Sequence, residues 1–294
     1  MPLPHKHAYD AFGSHWEITV WDDMPSSRFH ALIGEILARS AQFEENFSRF
    51  RPTSFVSRLA EEKQTGDIEV PEHFVAMLRP YFQLHTATDG KITPLVGNTL
   101  SDLGYDANYS LTPQKIVRLS PDLVETVAIL DDTHISLKYP AFFDFGAIGK
   151  GYFCDRIADF LQENDTKRFL VNGSGDIVYE GNGEAIRVGL EHPSDTTQVV
   201  GSIEMTQGAF CASGTNRRRW REYHHIIDPD TVTSPEHLLA TWVIAENAAL
   251  ADILATTLFL AAPGALRAVF PFEYATLDPT LILRQSPNFG AETY

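Results

Sequence analysis

Two oxygen-bearing side chains one helical turn apart suggest chemistry first. In "AALADILATTLFLAA", Asp252 and Thr256 interrupt a run rich in alanine, leucine and isoleucine. Residues at i and i+4 share a helix face, so both oxygens point the same way. A carboxylate among apolar neighbours is costly unless it is paired. Carboxylate plus hydroxyl is an oxygen-only donor pair, suited to Mg2+ or another hard cation rather than to zinc. A hydrogen bond from Thr256 or a neighbouring backbone group to Asp252 would satisfy the same pattern.

Three further stretches carry reactive residue types. "DFGAIGKGY", residues 144–152, suggests a phosphate loop, but the nucleotide motif G-x-x-x-x-G-K-[ST] fails at both ends. Asp144 stands where the first glycine belongs, and Gly151 where Ser or Thr belongs. What remains is a permissive turn between an acid, Asp144, and a base, Lys150. In "YHHIIDPDT", His224 and His225 are adjacent. On a strand they would point to opposite faces, so one could face a site; packing or surface roles would explain both equally simply. No third and fourth ligand stands at zinc spacing. "VNGSGDIVYEG" fails the dinucleotide fingerprint, because Val178 occupies the last glycine position. Asn172 and Asp176 of that stretch could still face a ligand.

The chain has 294 residues and a net charge of −16, which argues against nucleic acid or an acidic membrane as partner. The short basic run "RRRWR" at 217–221 reads as a solvated turn or a local anion contact. Cys154 and Cys211 lack metal spacing and sit among small or apolar residues, as buried free thiols do. No export signal is visible and no apolar run is long enough to span a membrane. A cytoplasmic protein is expected, provided Met1 is the native start.

The elements that must position these residues follow from periodicity. "HWEITVWD" alternates as a strand. "SSRFHALIGEILARSAQFEENF" places Phe29, Leu32, Ile33, Ile36 and Leu37 on one helical face. "PEHFVAMLRPYFQLHTATDG" predicts a helix kinked at Pro80 and ended by Gly90. A helix over 151–163 turns Phe153, Ile157, Phe160 and Leu161 inward. Strands are expected in "RFLVNGSGDIVYEG", "AIRVGLEH", "QVVGSIEMTQGAFCAS", "HHIIDP" and "ATWVIAEN". The helix around Asp252 comes next, and a hairpin of "EYATLD" with "LILRQS" ends the chain. Helices ahead of a run of strands give the α+β class, with one domain over 1–294 and no clean linker.

Seven blocks in order, "FSRFRPTSFVSRL", "TDGKITPLVG", "DFGAIGKGY", "FLVNGSGDI", "CASGTNRRRW", "HHIIDPDT" and "ALADILATTLFL", resemble the FAD:protein FMN transferase family, the ApbE-like flavin transferases. The resemblance covers about residues 10–262. It implies an α+β fold with a β-tunnel-like, T-fold-like core. It implies Mg2+ and FAD, with FMN moved from FAD to a Thr or Ser hydroxyl of an acceptor flavoprotein and AMP released. A Mg2+-dependent FAD pyrophosphatase giving FMN and AMP, and a non-catalytic flavin-binding paralogue, are the alternatives. By this resemblance Asp252 and Thr256 are metal ligands, and Ala147 stands where a backbone carbonyl completes the metal site. Asp144 and Lys150 match nucleotide contacts, and the glycine turn of 144–152 would cradle the pyrophosphate on the first amides of the helix it begins. His225 matches the base, with Ile226 beside it as a cofactor contact. Phe12 stands where a methionine usually meets adenine or flavin, and Lys91, Ile92 and Thr93 occupy a cofactor-contact segment. Lys91 could place a charge directly on a phosphate. The sequence departs from the family at Thr93, where an acid is usual, at Lys91, where alanine is usual, and at "CASGTN". It also departs at "DPDTVTS", which lacks the glycine of "DPRTG".

Overall fold

The computed structural model describes residues 3–294. Its centre is an eight-stranded antiparallel sheet whose spatial order follows the chain order. We number its strands β1 (His5–Ala11), β2 (Ser14–Val20), β3 (Phe169–Asn172), β4 (Asp176–Glu180), β5 (Gln207–Gly214), β6 (Ala240–Ala245), β7 (Glu273–Leu277) and β8 (Leu283–Gln285). Each pairs antiparallel with the next. The class is α+β. The sheet stays open, with β1 and β8 at its edges, and does not close into a tunnel.

Strand periodicity divides the sheet between two cores. On β4, β5 and β6, Val178, Ala209, Cys211 and Val243 pack on the helical side. Their neighbours Ile177, Tyr179, Phe210 and Trp242 pack on the other side with Val188, Leu190, Ile203 and Met205. Those last four lie on a smaller antiparallel sheet built from Ile186–His192, Asp195–Met205 and Glu292–Thr293. The stretch expected as one strand, "QVVGSIEMTQGAFCAS", therefore breaks at Thr206 and gives one strand to each sheet.

Four helices cover the other face: α1 (Ser26–Phe47), α2 (Phe74–His85), α3 (Gly149–Glu163) and α4 (Ala248–Thr257). The α1 face buries Phe29, Leu32, Ile33, Ile36, Phe43 and Phe47. Leu37, expected inward, is exposed; its step of about 100° from Ile36 carries it off the stripe. Pro80 lies within α2. Asn247 caps α4 by accepting from the Leu250 amide at 2.9 Å. A third small sheet, Gly66–Glu69, His134–Leu137 and Val127–Ile129, escapes the sequence reading because its strands are only three or four residues long. "HHIIDP" is not a strand throughout. Only Tyr223–His224 pair, with Arg219–Trp220, and the chain then leaves the ladder. Among the described residues no helix is long and apolar enough to cross a membrane.

Candidate active site

Ten of the residues singled out from sequence line one cleft of about 300 Å³: Phe12, Lys91, Ile92, Thr93, Asp144, Ala147, Lys150, His225, Ile226 and Thr256. That volume is at the lower end for a small-molecule site. Asp252, the eleventh, is buried just behind Lys150, whose Nζ lies 3.9 Å from its Oδ1.

Each wall has a local cause. Phe12 and Gly13 form the two-residue turn between β1 and β2, with φ of 55° and 64°. Such a turn needs positive φ at both positions. Phe12 is held there by Phe43, Phe153 and Trp16, with ring centroids 5.6, 5.2 and 5.2 Å away. Its amide donates to Glu44 Oε1 at 2.9 Å.

The glycine turn positions a helix rather than leaving its amides free. A Cβ on Gly151 would run into the Ala248 carbonyl and lie 2.7 Å from Asp252 Cβ, so glycine lets α3 and α4 cross at close range. Across that crossing the Gly151 amide donates to Asp252 Oδ2 at 2.9 Å. One of the amides expected to meet a phosphate thus holds a carboxylate instead. Asp252 takes its hydrogen bond from a backbone group of the neighbouring helix, while Thr256 Oγ1 lies 3.2 Å from Ser213 Oγ.

Buried charge concentrates at this crossing. Lys150 pairs with Asp176, which is fully buried. Burial works against the Lys150 charge, but Asp176 and Asp252 outweigh it and raise its pKa. Burial first, and then Asp176, pushes the Asp252 carboxyl above its ordinary range. Asp176 Oδ1 is buried without a hydrogen-bond partner. Two carboxylates against one ammonium, with an orphaned buried oxygen, favour one more positive charge. Asp252, the Thr256 hydroxyl and the Ala147 carbonyl are hard oxygen donors, so the residues present fit Mg2+. No group of three or more His, Cys, Asp or Glu among the described residues offers another arrangement.

The adjacent histidines point to different surroundings, although only His224 lies in the strand. His224 is buried away from the cleft, with its Nε2 2.9 Å from the Pro235 carbonyl. His225 faces the cleft. Burial, and then the Arg218 charge, holds its pKa well below the usual imidazole value. Among the described residues its Nδ1 is buried without a hydrogen-bond partner.

Sequence reasoning missed an aromatic wall. Arg49 lies over the Phe50 and Tyr105 rings, 4.2 and 4.7 Å from their centroids. Tyr109 stacks on Phe50 at 5.1 Å, and Trp220 on Tyr105 at 5.4 Å. Arg49 also pairs with Asp144 and donates to the Tyr105 carbonyl at 2.6 Å. These residues come from three separate segments without periodic pattern. The only hint was arginine next to phenylalanine in "FSRFRP".

Residues 12–273 match the ApbE family. The chain belongs to the ApbE family. It is 30% identical to a FAD:protein FMN transferase of Klebsiella pneumoniae over 230 residues, covering 67% of this chain and 68% of the relative. It is 24% identical to one of Haemophilus influenzae over 292 residues, covering 92% and 82%. The crystal structure of the Thermotoga maritima ApbE protein superposes with a TM-score of 0.84 at 22% identity, covering 98% of both chains. The Vibrio cholerae flavin transferase ApbE superposes at 0.79 and 20% identity, covering 98% and 99%.

Two of the segments expected to depart from the family pattern meet each other. Lys91 is held by Asp228 at 2.8 Å. Asp228 Oδ1 in turn accepts from the amides of Asp230 and Thr231 at 3.0 and 3.3 Å, closing the "DPDT" turn. Thr93 is buried and accepts from the Leu95 amide at 3.1 Å. Val232, where the resemblance leads us to expect glycine, has φ of 58°, a costly conformation for a β-branched residue.

Proposed function

We propose that this chain transfers FMN from FAD to a Thr or Ser hydroxyl of an acceptor protein, releasing AMP, with Mg2+ as its metal. The observation that carries this reading is the cleft itself. It brings His225 and the oxygen donors of Thr256 and Ala147 into one cleft, against the buried carboxylates of Asp176 and Asp252. Family membership supports the same reading, since the curated relatives are named as FAD:protein FMN transferases.

The chain's own groups have distinct parts. A Thr or Ser hydroxyl is a weak nucleophile at neutral pH. His225, kept neutral by burial and by Arg218, accepts its proton. The acceptor oxygen bonds to the FMN-side phosphorus, and the bond from that phosphorus to the bridging oxygen breaks. AMP departs with that oxygen and its electron pair. Asp252, Thr256 and the Ala147 carbonyl would hold Mg2+, which when bound supplies charge stabilisation for the pyrophosphate and its leaving group. The aromatic wall of Phe50, Tyr105 and Tyr109 offers flat surfaces for a ring system.

The test mixes protein, FAD, Mg2+ and an acceptor flavoprotein domain. A fluorescent flavin band that survives denaturing electrophoresis, with free AMP, is the expected result. AMP with free FMN would mean hydrolysis, and neither product would mean a binding protein. His225→Ala should keep its affinity for FAD and lose about 10²–10⁴-fold in transfer rate. Full activity in that variant would remove His225 from the mechanism.

A further inference from the structure

Five cationic side chains line the cleft, and four of them are already paired. Arg49 is held by Asp144, Arg51 by Glu44 at 2.6 Å, Lys91 by Asp228 at 2.8 Å, and Lys150 by Asp176. The fifth, Arg218, is half-buried, and among the described residues its guanidinium has neither a carboxylate nor a hydrogen-bond partner. Its backbone is tied to that of His225, because the Arg218 carbonyl accepts from the His225 amide at 3.1 Å. The residues that carry the unpaired cation and the cleft histidine are therefore backbone neighbours on one wall of the cleft. Lys91 and Lys150, the expected phosphate contacts, have their charge answered by protein. Arg218 does not.

From this geometry we infer that Arg218 binds the pyrophosphate of the dinucleotide, on the phosphoryl group being transferred. The inference rests on the FMN-transfer reading above and adds to it the residue that grips the reacting phosphate. Guanidinium suits this task. It stays charged, is weakly hydrated, and presents a planar fork to two phosphoryl oxygens. In an in-line displacement the attacking and leaving oxygens lie at opposite ends, and the non-bridging oxygens splay between them. An arginine beside the base meets those oxygens from the attacking side. It steadies the phosphoryl group while the acceptor O–P bond forms, the bond to the bridging oxygen breaks, and the proton passes to His225. The same charge helps keep His225 unprotonated before the acceptor arrives.

Two probes separate a phosphate contact from general damage: FAD, which carries the pyrophosphate, and riboflavin, which does not. Flavin fluorescence titrations would be run with Mg2+ on the full chain, on Arg218→Gln, on Arg218→Lys, and on Arg221→Gln, an exposed arginine of the same run. The expected result is a loss of about tenfold or more in FAD affinity for Arg218→Gln, with riboflavin affinity unchanged. Arg218→Lys should recover part of that loss, and Arg221→Gln should match the parent. Transfer by Arg218→Gln should fall in kcat as well as rise in KM. Equal losses for FAD and riboflavin, or no loss for either, would overturn the assignment while leaving FMN transfer standing. A parent chain that binds no FAD would sink both together.

Discussion

Asp176 and Ile177 are chain neighbours on β4, yet they belong to two different kinds of interior. Ile177 turns into the apolar layer with Tyr179, Phe210, Trp242 and Leu190. Asp176 turns the other way, is equally buried, and meets Lys150 with one oxygen left unpaired. The first side is finished by packing alone. The second holds charge that packing cannot satisfy. One strand thus serves stability with one face and chemistry with the other, and substitutions on the two faces should separate those properties.

The largest separation is expected at Asp252. Asp252→Asn removes a buried carboxylate whose pKa is already raised by burial and by Asp176. Flavin transfer should fall on the order of 10³-fold through loss of metal-dependent charge stabilisation. The melting temperature should hold or rise. A variant still stimulated normally by Mg2+ would end the ligand assignment, and one that melts well below the parent would end the contrast between faces. On the apolar side, Trp242→Ala should cost about 3–5 kcal/mol in denaturant unfolding. The protein that remains folded should keep its FAD affinity.

A pH profile sharpens the comparison on a smaller scale. An ordinary imidazole would lose about threefold of its basic form between pH 7 and pH 6. Burial, and then Arg218, lowers the His225 pKa well below the ordinary imidazole value, so the transfer rate should fall by less over this interval. A rate already declining below pH 7 along an ordinary histidine curve would show that His225 is not the titrating base. The smallest effect is expected at Val232, outside both interiors. Relieving its positive φ with Val232→Gly should stabilise the fold by about 1 kcal/mol. Urea unfolding would measure this, and a loss of stability would mean that side-chain contact outweighs the backbone strain.

The contrast also explains what was readable in the sequence. The apolar side announces itself through period, because alternation in "DIVYE", "GAFCAS" and "ATWVIA" fixes strands and faces together. The helices were legible for the same reason, and so was the shared face of Asp252 and Thr256. Pairing across the cleft was not. That Lys91 meets Asp228, that Lys150 meets Asp176 and that Arg49 meets Asp144 depends on which distant segments the fold brings together. The glycines of "DFGAIGKGY" suggested room for a ligand. At Gly151 the room is taken by a second helix. The expected strand at "HHIIDP" was overridden by the Asp228 turn, whose side chain competes with the ladder for backbone amides.

The order of the sheet has a further consequence. β2 and β3 are hydrogen-bonded neighbours, yet residues 21–168 lie between them. That excursion carries α1, α2 and the Asp144 loop, whereas His225 and α4 follow much later in the chain. Closing so long an excursion is slow relative to local pairing. During synthesis the cleft is therefore completed late, because His225 and Thr256 of its lining follow the excursion. A ribosome must release the chain beyond α4 before the lining of the cleft is whole, since Thr256 and Leu260 belong to it.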